Sequence, residues 1–141
     1  MEKEVQITVN SLQVSTIDGE RQEICEQYWG KYIESANKEY LLYEEQPEDN
    51  KHSVKTMIKM GLGEIAIVKR GAINTEMVFK AGVRKLANYE TPYGGMTIGI
   101  RTENLSVMQN GNSTKIEINY KLEIDYDYVT ECHISIEAID K

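Results

Sequence analysis

An alternation of apolar and polar residues with a period of two limits this chain more than any other pattern in it. Ile116, Ile118, Tyr120, Leu122 and Ile124 share one face while Lys115, Glu117, Asn119, Lys121 and Glu123 share the other. That repeat belongs to an extended strand with one buried and one wet side. Thr130, Cys132, Ile134, Ile136 and Ala138 repeat it against Glu131, His133, Ser135 and Glu137, which predicts a hairpin turning near Asp125-Tyr126-Asp127. Near the other end Val5, Ile7 and Val9 alternate, and the phase then slips to Leu12 and Val14. The slip predicts a bulge near Asn10-Ser11.

Between these ends, short β-rich stretches are separated by turn chemistry. Asp18-Gly19 is the strongest hairpin signal, because both residues tolerate positive φ. Further breaks fall at Ser35 to Lys38, Pro47 to Lys51, Gly61 to Glu64, Gly71 to Asn74, Ala81-Gly82, Pro92 to Gly95 and Asn110 to Asn112. Ile24 to Ser35 suits helix or strand by spacing, and Gly30 beside Tyr28-Trp29 favours strand. The count is about ten antiparallel strands in one meander, whose edges are managed most simply by closure. Residues 1–141 are expected to form a single all-β barrel domain.

A chain of 141 residues buries roughly 70% of its unfolded surface and folds without staples. No apolar run approaches the roughly 20 positions of a membrane-spanning helix. Met1-Glu2-Lys3-Glu4 leads into the Val5 pattern without a basic or apolar leader, so the expected location is the cytoplasm. There Cys25 and Cys132 are expected to be free thiols. Sixteen basic against 23 acidic residues give a net charge of −7, which argues against nucleic acid and anionic membrane surfaces as partners.

Three segments carry a family resemblance: Arg70-Gly71-Ala72, Thr75-Glu76-Met77-Val78-Phe79 and Tyr89-Glu90-Thr91-Pro92-Tyr93-Gly94. With Tyr40 to Glu45 and the closing hairpin, they make the chain resemble the uncharacterised bacterial family of YwiB-like proteins. That resemblance implies a calycin-like (lipocalin-like), up-and-down antiparallel barrel of about 8–10 strands, similar in shape to lipocalins, fatty-acid-binding proteins and avidin. Many of those hold a small ligand. The resemblance implies no activity.

Several residues carry two readings. Tyr89, Thr91 and Tyr93 offer hydroxyls to a polar ligand group at a barrel mouth, or else form a tightly specified corner around Pro92 and Gly94. Arg70, just before Gly71, suits a carboxylate or phosphate bidentately, or pairs with Glu76 or Glu90 or lies across a ring. Trp29-Gly30 resembles the way calycin barrels close one end with a Trp, and predicts a sealing role. Nine tyrosines against one phenylalanine point to a partly hydrated interior or partner surface, or to phenols at strand ends.

For metal chemistry the chain is poor: His52 and His133 lie far apart and no Cys-x-x-Cys or His-x-His spacing occurs. Glu44-Glu45 and Glu48-Asp49 read as a solvated edge rather than an acid–base pair. Gly61-Leu62-Gly63 is too short for a phosphate cradle, and no nucleophile motif is present. The expectation is therefore a cytosolic, non-enzymatic barrel with no cofactor and no metal. Arg70, Tyr89, Thr91, Tyr93 and Tyr120 are its expected contacts to a small amphipathic or apolar ligand. The alternative is a barrel filled by side chains such as Ile58, Met60, Phe79 and Leu122, acting as an interaction module or homodimer. An enzyme at the mouth is the remainder, and needs Arg70 and Glu76 or Glu90 to converge.

Overall fold

The structure is a computed structural model and describes residues 2–45, 53–124 and 128–141. The expected break at Pro47 to Lys51, the Glu48-Asp49 pair, His52 and the turn at Asp125 to Asp127 lie outside the described residues. Ten strands follow in chain order: β1 (Glu2–Ser15), β2 (Arg21–Ser35), β3 (Lys38–Glu45), β4 (Val54–Gly61), β5 (Glu64–Gly71), β6 (Asn74–Lys80), β7 (Arg84–Thr91), β8 (Gly94–Asn110), β9 (Ser113–Ile124) and β10 (Tyr128–Asp140). Each is antiparallel to the next, and β1 pairs with both β2 and β10, so the meander closes into a barrel.

The turns use the chemistry that two-residue hairpins require. Ala36 and Asn37 both take positive φ, at 49° and 69°, and Leu62 and Gly63 do the same at 54° and 75°. Paired left-handed residues match the right-handed twist of the flanking strands. Closure leaves one weak seam. The ladder between β6 and β7 is confined to Asn74↔Glu90 and Thr75↔Tyr89. Beyond it, Gly82 N donates to Thr102 O at 2.9 Å, which ties the turn between these strands to β8.

The bulge expected near Asn10-Ser11 is absent, since β1 keeps an unbroken register with β2 and β10 through those residues. The strand does not slip. Ser11 and Gln13 stay on the inner face with Val9, and Leu12 and Val14 turn outward; the composition of the two faces changes, not the geometry. The irregularity sits instead in β8, between Thr102 and Asn104. One extra residue there exchanges the two faces, so Ile98, Ile100 and Thr102 face inward before it and Leu105 after it, opposite Ile118.

The core occupies the barrel half that holds the turns at Ala36-Asn37 and Leu62-Gly63. Phe79, Leu41, Ile58, Ile100, Ile116 and Ile118 are fully enclosed there. Each such side chain contributes about 1.5–3 kcal/mol by leaving water. Phe79 meets Tyr120 edge-on, with ring centroids 4.9 Å apart, a preferred aromatic geometry.

Candidate functional site

The other half of the barrel is hollow. A cavity of about 340 Å³ opens there, comparable with the smaller ligand pockets of proteins. Ile67, Met77, Ile98, Leu122, Ile134 and Ile136 form its apolar wall, and Ser11, Gln13, Tyr43, Lys69, Tyr89 and Tyr120 bring polar atoms to it.

Strand register explains how the polar residues come together. Tyr43 pairs with Thr56, Thr56 with Lys69, Lys69 with Thr75 and Thr75 with Tyr89. These five residues therefore form one cross-strand row on the inner face, running over five consecutive strands from β3 to β7. Such directly opposed neighbours lie about 4.5–5.5 Å apart at Cβ and interact. Glu45, at the end of β3, ties the row together. Lys69 Nζ lies 3.0 Å from Glu45 Oε2, and Thr56 Oγ1 donates to the same oxygen at 2.8 Å. Tyr28 stacks on Tyr43 at 4.6 Å and donates to Glu26, with a longer bond to Glu45 at 3.3 Å. Burial holds the Tyr43 phenol well above its ordinary pKa.

Thr75 is 3% exposed, and among the described residues its Oγ1 has no hydrogen-bond partner; the same holds for Thr102 in the packed half. Tyr120 is enclosed deeper in the barrel. Burial first, then the neighbouring Cys132 and Tyr89, push its phenol far above the usual range. The Cys132 thiol is pushed up to about 11 by burial, which makes it a poor nucleophile at neutral pH.

Two of the five residues expected from the sequence line this cavity: Tyr89 and Tyr120. Arg70 does not. It follows Lys69 on β5, so the pleat sends it outward, where Nη1 donates to the carbonyls of Lys69 at 2.9 Å and Thr75 at 3.1 Å. It pairs with these backbone acceptors rather than with the carboxylates considered for it. Thr91 holds a corner: its Oγ1 donates to Gly94 O at 3.0 Å and accepts from Tyr93 N at 3.2 Å. Tyr93, at the tip, is 100% exposed. The Tyr89 to Gly94 run thus combines one inward phenol with a turn. Glu76 and Glu90 are both exposed.

Trp29, expected to seal a barrel end, lies on the outside, 66% exposed, with Lys141 Nζ 5.7 Å from its ring centroid. Alternation gives the inward position to Gly30. A Cβ there would meet Leu42 O at 2.3 Å and Ile7 Cδ1 at 2.7 Å, so only glycine fits. His133 Nδ1 donates to Asn119 Oδ1 at 2.6 Å on the outer face. Among the described residues, no group of three His, Cys, Asp or Glu side chains is placed to hold a metal ion.

The residues that sequence reasoning missed share a readable signal. Thr56 lies on the face of Ile58 and Met60, Lys69 on that of Ile65 and Ile67, and Thr75 on that of Met77 and Phe79. A polar residue continuing an apolar face marks where the dry core ends.

The family model for the domain of unknown function DUF1934 matches residues 7–136. A relative, the uncharacterized beta-barrel protein YwiB of Bacillus subtilis (strain 168), is 27% identical over 124 residues, covering 88% of this chain and 86% of its own. The crystal structure of the ywiB protein from Bacillus subtilis aligns with a TM-score of 0.81 at 24% identity, over 96% of this chain and 92% of that one. At that identity the likeness speaks for the fold. Because the matched segment runs from within β1 to within β10, the chain belongs to the DUF1934 family.

Proposed function

We propose that this barrel binds one small amphipathic molecule, with its apolar body in the hollow half and its polar end at the row from Tyr43 to Tyr89. The observation that carries this reading is the cavity itself. About 340 Å³ lies beside a well-packed core, whereas protein interiors ordinarily leave few voids larger than a water molecule. Its composition supports the reading, with nine aliphatic or methionine side chains among the described residues of the wall, together with hydroxyls and one ion pair. A calycin-like manner of binding agrees with the closed up-and-down topology, and barrels of eight or more strands hold one small ligand.

Binding rather than catalysis is favoured because the ionisable groups engage one another. Glu45 is occupied by Lys69 and Thr56, and the buried Cys132 thiol is held protonated. A cytosolic location is supported by the barrel's polarity. Lys115, Glu117, Lys121 and Glu123 alternate outward against inward Ile116, Ile118 and Tyr120; a lipid-facing barrel carries the reverse pattern. No described helix is long and apolar enough to cross a membrane.

A second reading, pairing with another copy of the chain, draws on the outward, half-buried Leu42 and Met57, which are paired in register across β3 and β4. Sedimentation at micromolar concentration decides it, since a monomer throughout removes its support.

Ligand binding is tested by titrating the protein with N-phenyl-1-naphthylamine, an uncharged dye that fluoresces in apolar surroundings. Saturable enhancement at one site per chain, lost when Ile134→Trp fills the cavity, is expected. No enhancement with folded wild-type protein overturns the reading.

A further inference from the structure

We infer that a second copy of this chain docks on the free edge of β8, strand against strand and antiparallel, over Asn104 to Asn110. The contact lies in the half of the barrel away from the cavity and on a surface distinct from Leu42 and Met57, so it stands independently of ligand binding.

The first observation is an edge that closure leaves open. The ladder of β8 with β7 ends at Arg84↔Arg101, and the turn beyond β6 reaches β8 only at Thr102, through Gly82 N and Val83 O. From Asn104 onward β8 pairs with β9 alone, as far as Asn110↔Ser113. In an antiparallel pair, alternate residues turn their N–H and C=O away from the partner strand. Among the described residues, no backbone bond reaches that free side. Gln109 donates to Glu39 at the start of β3, which holds the stretch in place. A row of unpaired backbone groups on an ordered edge is a template for another strand.

The second observation is what the edge carries. Asn104 to Thr114 contains no charged residue, in a chain of net charge −7. Val107, paired with the inward Ile116, is 39% exposed, and Met108, on the outer face, is 61% exposed. β2 offers the comparison. Its ladder with β3 stops at Gly30↔Tyr43, and the part beyond, Arg21 to Trp29, carries Arg21, Glu23 and Glu26. Charges on an edge keep other strands away, and the end of β8 has none.

A second copy suits this edge on charge and on symmetry. Two chains of the same negative charge repel one another over most approaches, and this uncharged edge lets them meet without like charges opposed. A two-fold axis then gives each free N–H a carbonyl of the other copy and covers Val107 and Met108 with cross-strand neighbours.

The test is sedimentation of the full chain from micromolar to millimolar concentration, with amide hydrogen exchange followed alongside. A monomer–dimer equilibrium is expected, and exchange over Asn104 to Asn110 should slow as the dimer fills. Val107→Lys combined with Met108→Lys sets like charges across the two-fold and, with melting checked, should weaken the dimer at least about tenfold. Leu42→Lys should leave it unchanged. A monomer at every concentration, exchange over Asn104 to Asn110 that ignores concentration, or a dimer that survives the folded double variant overturns the inference. Loss of the dimer in folded Leu42→Lys alone overturns it too, and moves the contact to β3 and β4.

Discussion

Lys69 Nζ and Glu45 Oε2 lie 3.0 Å apart on the inner face of the barrel mouth, with 22% and 25% of the two side chains exposed. Such a pair is mostly withdrawn from water, so removing one partner leaves the other charged and poorly solvated. Lys69→Met should therefore destabilise the protein by about 1–3 kcal/mol in urea unfolding. Adding Glu45→Gln should recover part of the loss. A double-mutant cycle reads the coupling directly, and strictly additive effects would show that the pair is not formed in solution.

Thr75 and Thr102 carry buried hydroxyls that no described residue bonds. Valine has nearly the same shape and suits a strand at least as well. Thr75→Val and Thr102→Val are each expected to stabilise the ligand-free protein, by about 0.5–2 kcal/mol. A fall in the unfolding midpoint for both variants would mean that these hydroxyls are satisfied in solution.

The hollow and packed halves should respond differently to truncation. Ile118 is fully buried in the packed half, whereas Ile134 lines the cavity. Ile118→Ala should cost about 3–5 kcal/mol, and Ile134→Ala should fall at or below about 2 kcal/mol because the space beside it is already open. Equal losses would indicate that the cavity collapses in solution.

The two thiols should separate cleanly. Cys25 is exposed and Cys132 buried, so a disulfide reagent should titrate one thiol quickly in native protein and both in urea. Cys132 also links stability to alkaline pH. Its folded pKa, about 11, is raised by burial, above an unfolded value near 8.5. Folding thus favours the protonated thiol. That contribution is complete below the unfolded pKa and is lost as pH rises through the folded one. Between about pH 9 and 11, wild-type protein should lose stability more steeply than Cys132→Ala. Parallel curves would contradict the burial of this thiol. Tyr43 and Tyr120, also raised, add a decline of the same sign at higher pH in both proteins.

Much of the fold was legible because β-structure writes its faces into the chain. The alternation over Ile116 to Ile124, the glycine and asparagine turns and the placement of both prolines led to about ten antiparallel strands with closed edges. What misled was the assumption that inward means apolar. In β1 the inner face passes from Val9 to Ser11 and Gln13, and the change of chemistry resembles a bulge; the bulge in β8 is hidden because its composition on either side is ambiguous. The same assumption moved the expected cation by one residue, from Lys69, which shares the inner face of Ile65 and Ile67, to Arg70, which does not. Glu45 could not be placed from local pattern, because its partners Thr56 and Lys69 come from neighbouring strands at a register that only the folded sheet reveals.

The most direct measurement is native mass spectrometry of the protein purified gently from the cells that make it. The cavity predicts a reproducible added mass of one small organic molecule per chain, released on denaturation and missing from Ile134→Trp. A bare chain mass from every preparation, or an adduct that Ile134→Trp retains in full, would contradict the claim that the hollow half of this barrel is a ligand site.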